Sequence, residues 1–299
     1  MCKILITAVA FLYSIACLAQ TQSDVNVSEG GYGMVKTNIS VSADHTWGAV
    51  RDGFGARVSY EAYKNKFFTL SANARYNSVK VDFDEGDLSD GYSPEDLGMN
   101  DVHIMAQLGA TATVRTELFG KPLMGVAMLN TEWGVGGFER ISGIVMGMIM
   151  LRANKNTQFG IGPLVMVNTT SKIPAFLVFM YRHRFNEKLA LNLYGGMLGL
   201  DYNLNKNNIF SIGADIDVKG FYFKPRHEDL PKVCRFTYTS FRPTVKYRLR
   251  LGQNFYLDAQ GGVAIKMSCR VNGKNGTKEY MDCNQKPAPF LQAGISYSL

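Results

Sequence analysis

Apolar and polar residues alternate with a period of two along most of the chain. Val35, Thr37, Ile39 and Val41 alternate with Lys36, Asn38, Ser40 and Ser42. Phe54, Ala56, Val58, Tyr60 and Ala62 alternate with Gly55, Arg57, Ser59 and Glu61. After Lys64-Asn65-Lys66 the rhythm resumes, with Phe68, Leu70, Ala72, Ala74 and Tyr76 against Thr69, Ser71, Asn73, Arg75 and Asn77. Period two is the strand signal, because successive side chains of a strand point to opposite faces. Further strands are expected at 102–115, 123–134, 141–152, 157–167, 174–185, 208–223, 233–251, 255–270 and 288–299. The connections fall into two classes. Short turns lie at 64–66, 118–122, 153–156, 186–188, 204–207 and 251–254, and longer loops at 44–52, 84–100, 224–232 and 271–288.

Strands apolar on one face and charged on the other, joined by alternating short and long connections, predict a transmembrane antiparallel up-and-down β-barrel in an outer membrane. Leu189 to Leu204 is ambiguous. A spanning strand takes about 9–11 residues, so this stretch is too long for one and too short for two. As a hairpin in the wall it gives about fourteen strands; folded into the lumen it gives about twelve. The expectation is about 12 strands (12–14).

The first 20 residues read as a secretion signal and are set apart from the fold, leaving 21–299 as the barrel domain. Lys3 opens the segment, Ile4 to Leu18 is apolar and uncharged, and Cys17-Leu18-Ala19 offers small residues for cleavage. Composition agrees with a lipid-bathed surface. Charged residues are only 19%, and no later apolar run approaches a spanning helix. The formal net charge of +7 raises nucleic acid as a partner. Export and the alternation of basic with apolar positions argue against it.

The sharpest charge pattern lies on 233–251. Val245, Tyr247, Leu249 and Leu251 share one face, and Arg242, Thr244, Lys246, Arg248 and Arg250 the other. A cation facing lipid at mid-depth costs about 2–4 kcal/mol, so these point into the lumen. Asp258 and Lys266, with Gln260, and Asp215 and Asp217 on the preceding strand share that face. They either pair and brace the lumen or line an anion-favouring path. Segment 141–152 is apolar on both faces and carries Met146, Met148 and Met150. Something apolar therefore covers it, and 189–204 is the first candidate; a path for a hydrophobic solute is the alternative.

Five cysteines include Cys2 and Cys17 in the leader. A Cys269–Cys283 disulfide is expected to clip the loop between them, with Cys234–Cys269 as the rival. No metal-ligand spacing, cofactor motif or nucleophile motif stands out, and the acidic residues at Asp82, Asp84, Glu85, Asp87, Asp90, Glu95 and Asp96 read as a solvated loop. Of His45, His103, His183 and His227, only His103 with an inward hydroxyl suggests envelope-lipid hydrolysis, and an ordinary wall histidine is the expectation. The chain reads as non-catalytic.

The closing residues Gln292, Gly294, Tyr297 and Leu299 resemble the β-signal read by barrel-assembly machinery, although the common form ends in phenylalanine. Together with Gly160-Ile161-Gly162-Pro163-Leu164, they give the chain a resemblance to uncharacterised outer-membrane β-barrel families of Gram-negative bacteria. The resemblance implies fold and location, with outer-membrane lipids, lipopolysaccharide and the assembly machinery as partners, and no cofactor. The leading functional expectation is passive or facilitated passage of a small solute. The alternatives are a closed structural or surface-interaction barrel, a carrier of hydrophobic ligands, and an envelope-lipid enzyme.

Overall fold

The computed structural model describes residues 37–84, 88, 93–167, 175–194, 197–274, 279–283 and 285–298. The stretch read from the sequence as a secretion signal and Leu299 lie outside them, as do Glu85, Asp87 and Asp90 of the acidic loop.

Fifteen strands occur among the described residues: β1 (Thr37–Thr46), β2 (Val50–Lys64), β3 (Phe68–Val81), β4 (Val102–Leu118), β5 (Lys121–Gly134), β6 (Gly137–Ala153), β7 (Thr157–Val167), β8 (Ala175–Arg184), β9 (Leu189–Tyr194), β10 (Met197–Asn203), β11 (Asn208–Phe223), β12 (Cys234–Leu251), β13 (Phe255–Gly273), β14 (Glu279–Asp282) and β15 (Ala288–Ser298). Each pairs antiparallel with its sequence neighbour from β1 to β13. β15 pairs with β13 on one side and β1 on the other, which closes the ring. The short β14 pairs only with the far end of β13 and stands outside the ring. The barrel therefore has 14 strands, not twelve. The difference is 189–204, which forms the wall hairpin β9–β10, paired with β8 on one side and β11 on the other.

Every ring strand except β9 exposes at least one large apolar side chain on its outer face, among them Val58, Leu108, Leu129, Leu177, Ile212 and Leu291. Tyr63, Phe67, Phe119 and Phe255 ring the short-turn end, and Trp47, Trp133 and Phe138 the loop end. No helix among the described residues is long and apolar enough to cross a membrane. A closed ring pairs its strands with one another around the barrel, and an apolar belt between aromatic girdles matches a bilayer. The chain is an outer-membrane β-barrel. Short turns mark its periplasmic end and loops its external end.

The wall is uneven at the external end. β12 and β13 are shifted in register between Thr239 and Ser240. Such an irregularity bends and twists a strand pair. Beyond it every residue of β12 from Cys234 to Ser240 is buried, and so are Lys219 to Phe223 of β11. Both faces are covered because these strand ends turn into the lumen. There Phe221, Phe223, Phe236, Tyr238 and Val271 pack with Val79 and Val81 of β3 and with Phe83, Leu97 and Met99 of the connection between β3 and β4. The Tyr222 side chain lies against Gly134 of β5, where an added Cβ would stand 2.9 Å from the Tyr222 Cβ and 3.0 Å from its ring, so the crossing needs glycine.

Candidate functional site

The lumen is the candidate site, and it has two unlike faces. The polar face surrounds a cavity of about 220 Å³. Alternation along β1 to β5 delivers Ser42, Arg57, Asn73, Arg75, Gln107 and Asn130 to it. The apolar face belongs to β5–β8. Ile144, Met146, Met148, Leu164, Met166 and Val178 are buried there and pack with Met124, Met128, Met150, Phe176 and Met180. Met148 lies over Gly160, where a Cβ would stand 3.0 Å from its side chain. Segment 141–152 is thus apolar on both faces because one face meets lipid and the other meets the methionines of neighbouring strands. The expected cover from 189–204 does not exist, since that segment is wall.

The charges of β11–β13 are paired. Arg242 Nε lies 3.1 Å from Asp215 and its Nη1 3.3 Å from Asp217. Lys246 Nζ donates to the other Asp215 oxygen at 2.9 Å. Arg248 and Asp258 pair at 2.6 Å nearer the periplasmic mouth, where both are exposed. Arg250 instead donates to the carbonyls of Gly252 and Gln253 and so fastens the β12–β13 turn. Lys266 donates to the Cys283 carbonyl and lies 3.7 Å from Asp282, at the external end. Arg242 also sits over the Phe290 ring, 4.6 Å from its centroid. Of the closing-strand residues, Gln292 bonds Gln260 across the lumenal face and Tyr297 packs on Phe255. Gly294 lets β15 approach β1, where a Cβ would stand 3.1 Å from the Val41 carbonyl.

A second ionic cluster was not foreseen from the sequence. Glu132 on β5 is buried and accepts from Arg140 at 3.0 and 3.3 Å and from Ser142 Oγ at 2.7 Å. It also accepts from the Tyr222 hydroxyl and lies 3.7 Å from Arg235, both on the inturned strands. Nearby, Lys219 donates to Asp44 of β1, and Lys274 pairs at 2.8 Å with the buried Glu139. The Glu132–Arg140 pair was readable, because the Gly136-Gly137 turn sets them opposite each other. Nothing local in the sequence points to Tyr222 or Arg235.

These contacts lock the inturned strands across the external end. Separating them would expose Phe221, Phe223, Phe236 and Tyr238. At about 1.5–3 kcal/mol per large apolar side chain, that costs roughly 6–12 kcal/mol before any ion pair is broken. His103 belongs to this closure. Its ring stacks on Phe221 at 3.9 Å and its Nε2 bonds the Met99 carbonyl at 2.8 Å. The Cys269–Cys283 disulfide borders the same core, and Cys234 is buried within it as a free thiol. No cluster of His, Cys, Asp or Glu among the described residues could hold a metal ion.

The family described as "Domain of unknown function (DUF6268)" matches residues 127–298. The chain belongs to this family. The DUF6268 match starts within β5 and reaches the closing strand, so it includes the methionine face apart from Met124, the short hairpin and the inturned strands. No curated protein matches the chain. Among solved structures, it is similar to the COG4313 outer membrane channel from Pseudomonas putida F1, with 12% identity and a TM-score of 0.45 over 92% of this chain and 98% of that one. A Pseudomonas aeruginosa FadL homologue is 8% identical with a TM-score of 0.43, covering 88% of this chain and 89% of that chain. The Salmonella typhi outer membrane phospholipase (OMPLA) is 10% identical with a TM-score of 0.37, covering 96% of both chains.

Proposed function

We propose that the protein carries a small solute across the outer membrane by facilitated passage, through a lumen that is closed at its external end rather than open along its axis. The observation that carries this reading is a cavity of about 220 Å³ beneath an apolar seal, lined by amide, hydroxyl and charged side chains together with Met105, Met128, Ile144 and Met166. A purely structural barrel of this size has no need for a lumen with one polar and one methionine-lined face. The reading is non-catalytic: His103, on which lipid hydrolysis would turn, has its ring on Phe221 and its Nε2 on a backbone carbonyl. Insertion by the assembly machinery through the closing strand, and contact with lipopolysaccharide at the external rim, complete the proposal.

Uptake into proteoliposomes of the refolded mature chain tests it, with solutes graded from arabinose to hexanoate. Saturable uptake of at least one solute above protein-free vesicles is expected. Uptake equal to protein-free vesicles across the series would leave the structural barrel as the better reading. The methionine face favours the apolar end of the series, because flexible, polarizable thioethers suit an irregular apolar guest.

A further inference from the structure

We infer that the solute is a short-chain alkyl carboxylate, with its head bound at Arg57 and Arg75 and its tail against the methionines that line the same cavity. This deepens the passage reading and rests on it. Register sets the two arginines side by side. Arg57 of β2 stands directly opposite Arg75 of β3, and both line the lumen cavity. The next residues along that row are Ser40 of β1 and Gln107 of β4. Like charges set directly opposite on one face of a sheet destabilise it. A wall that keeps two guanidinium groups in this register gains from an anion that bridges them. The planar forks of arginine suit a carboxylate, and Asn77 accepts from Arg75 Nε at 3.1 Å, which steadies one of them.

The charge balance of the cavity points the same way. Arg57, Arg75, Arg140, Lys219 and Arg235 line it, against Asp44, Glu132 and Asp217. Cations outnumber carboxylates however these groups pair among themselves. A recess lined by an excess of cations favours anions and disfavours cations of the same size.

The rest of the lining is what an alkyl tail requires. Met128 of β5, Ile144 of β6 and Met166 of β7 stand opposite one another in register and line the same cavity, as does Met105 of β4. Thioether side chains adapt to a flexible apolar guest. A fully hydroxylated acid would instead place hydroxyl groups against this surface without partners, which is costly. Size sets the chain length. The cavity has the volume of roughly seven waters at ~30 Å³ each, which matches the non-hydrogen atoms of an acid of about four to six carbons.

The test measures uptake by the refolded barrel in proteoliposomes, with butanesulfonate as the probe. This acid stays ionised, so it does not cross the bilayer in a neutral form. Saturable uptake is expected. It should exceed that of butyltrimethylammonium, which has the same chain and the opposite charge, and that of gluconate, which has the charge without the apolar tail. Replacing both arginines, Arg57→Gln with Arg75→Gln, should lower uptake at subsaturating probe at least about tenfold, the factor carried by one lost charge-assisted contact. Arg57→Lys with Arg75→Lys keeps the charge and should keep the preference for the anion. The ion preference of the parent barrel decides the matter even if the glutamine variant does not fold. Equal uptake of the two alkyl ions, gluconate uptake matching that of butanesulfonate, or a folded glutamine variant as fast as the parent would overturn the inference. Saturable arabinose uptake without butanesulfonate uptake would overturn it too, while leaving the passage reading in place. Butanesulfonate bound by the parent in calorimetry and released by loss of both arginines, but not taken up, would uphold the site and sink passage.

Discussion

Replacing Glu132 with glutamine removes one charge from the centre of the external closure and keeps the side chain's shape. Glu132 is 2% exposed, and its partners Arg140 and Arg235 are 7% and 6% exposed. The substitution leaves two guanidinium groups without their shared anion, in nearly buried positions on the wall of the lumen cavity. Breaking a buried ion pair by removing one partner costs about 3–5 kcal/mol. Two of the five contacts, those from Tyr222 and Arg235, bridge from the inturned strands to the wall, so part of this loss falls on the closure itself. Urea unfolding of the refolded barrel in detergent measures it, with the midpoint falling at constant slope. The predicted drop equals roughly two to three and a half decades in the folding equilibrium, at ~1.4 kcal/mol per decade. A companion triple variant, Glu132→Leu with Arg140→Met and Arg235→Met, should recover most of the loss, because apolar groups of similar volume often match a buried ionic cluster. A stability of Glu132→Gln within about 0.5 kcal/mol of the parent, the range of an ordinary surface change, would refute the argument that this cluster behaves as a buried one.

Other outcomes follow from the same architecture. Ile212→Arg, on the lipid-facing side of β11, should destabilise the folded barrel by about 2–4 kcal/mol, while Ser211→Arg, one residue away on the lumenal side, should cost far less; equal losses by urea unfolding in lipid would contradict the assigned faces. Asp215→Asn should destabilise by about 3 kcal/mol because it strips the buried Arg242 of one of its two anions, and the shift should appear in the same unfolding assay. Gly262→Ala puts a Cβ 1.9 Å from the Pro243 carbonyl across the strand pair, so the yield of heat-modifiable folded barrel should fall sharply; unchanged refolding would sink this reading. Reduction of Cys269–Cys283 should lower the thermal midpoint, with a loss of about 3 kcal/mol for a loop of this length, whereas Cys234→Ser should not reproduce the reductant's effect.

The barrel was legible because lipid and lumen impose opposite requirements on alternate residues. β2, β3 and the periplasmic half of β12 therefore carry their geometry in plain alternation. Length arguments failed at 189–204, because they presume that every strand spans the bilayer; β9 and β10 are held by their neighbours over only part of that height. The inturned strands were read as ordinary wall for a related reason. Phe221, Tyr222 and Phe223 are consecutive large aromatics, which signals burial on both faces, but sequence does not say which wall will cover them. The same gap in information hid the partnership of Tyr222 with Glu132, residues 90 positions apart. The charged face of β12 was visible as a face, whereas its division into pairs depended on register: Asp215 stands opposite Arg242, and Asp258 opposite Arg248. The methionine face was recognised as apolar on both sides, and only the ring's curvature showed that its neighbours are its cover.

The most direct test of a lumen sealed at its external end is single-channel conductance of the refolded barrel in a planar bilayer under a salt gradient. A folded, heat-modifiable barrel with no steady ion conductance is predicted, since Phe221, Phe223 and Phe236 close the axis. Steady open events, with anion preference along Arg242, Lys246 and Arg248, would contradict it.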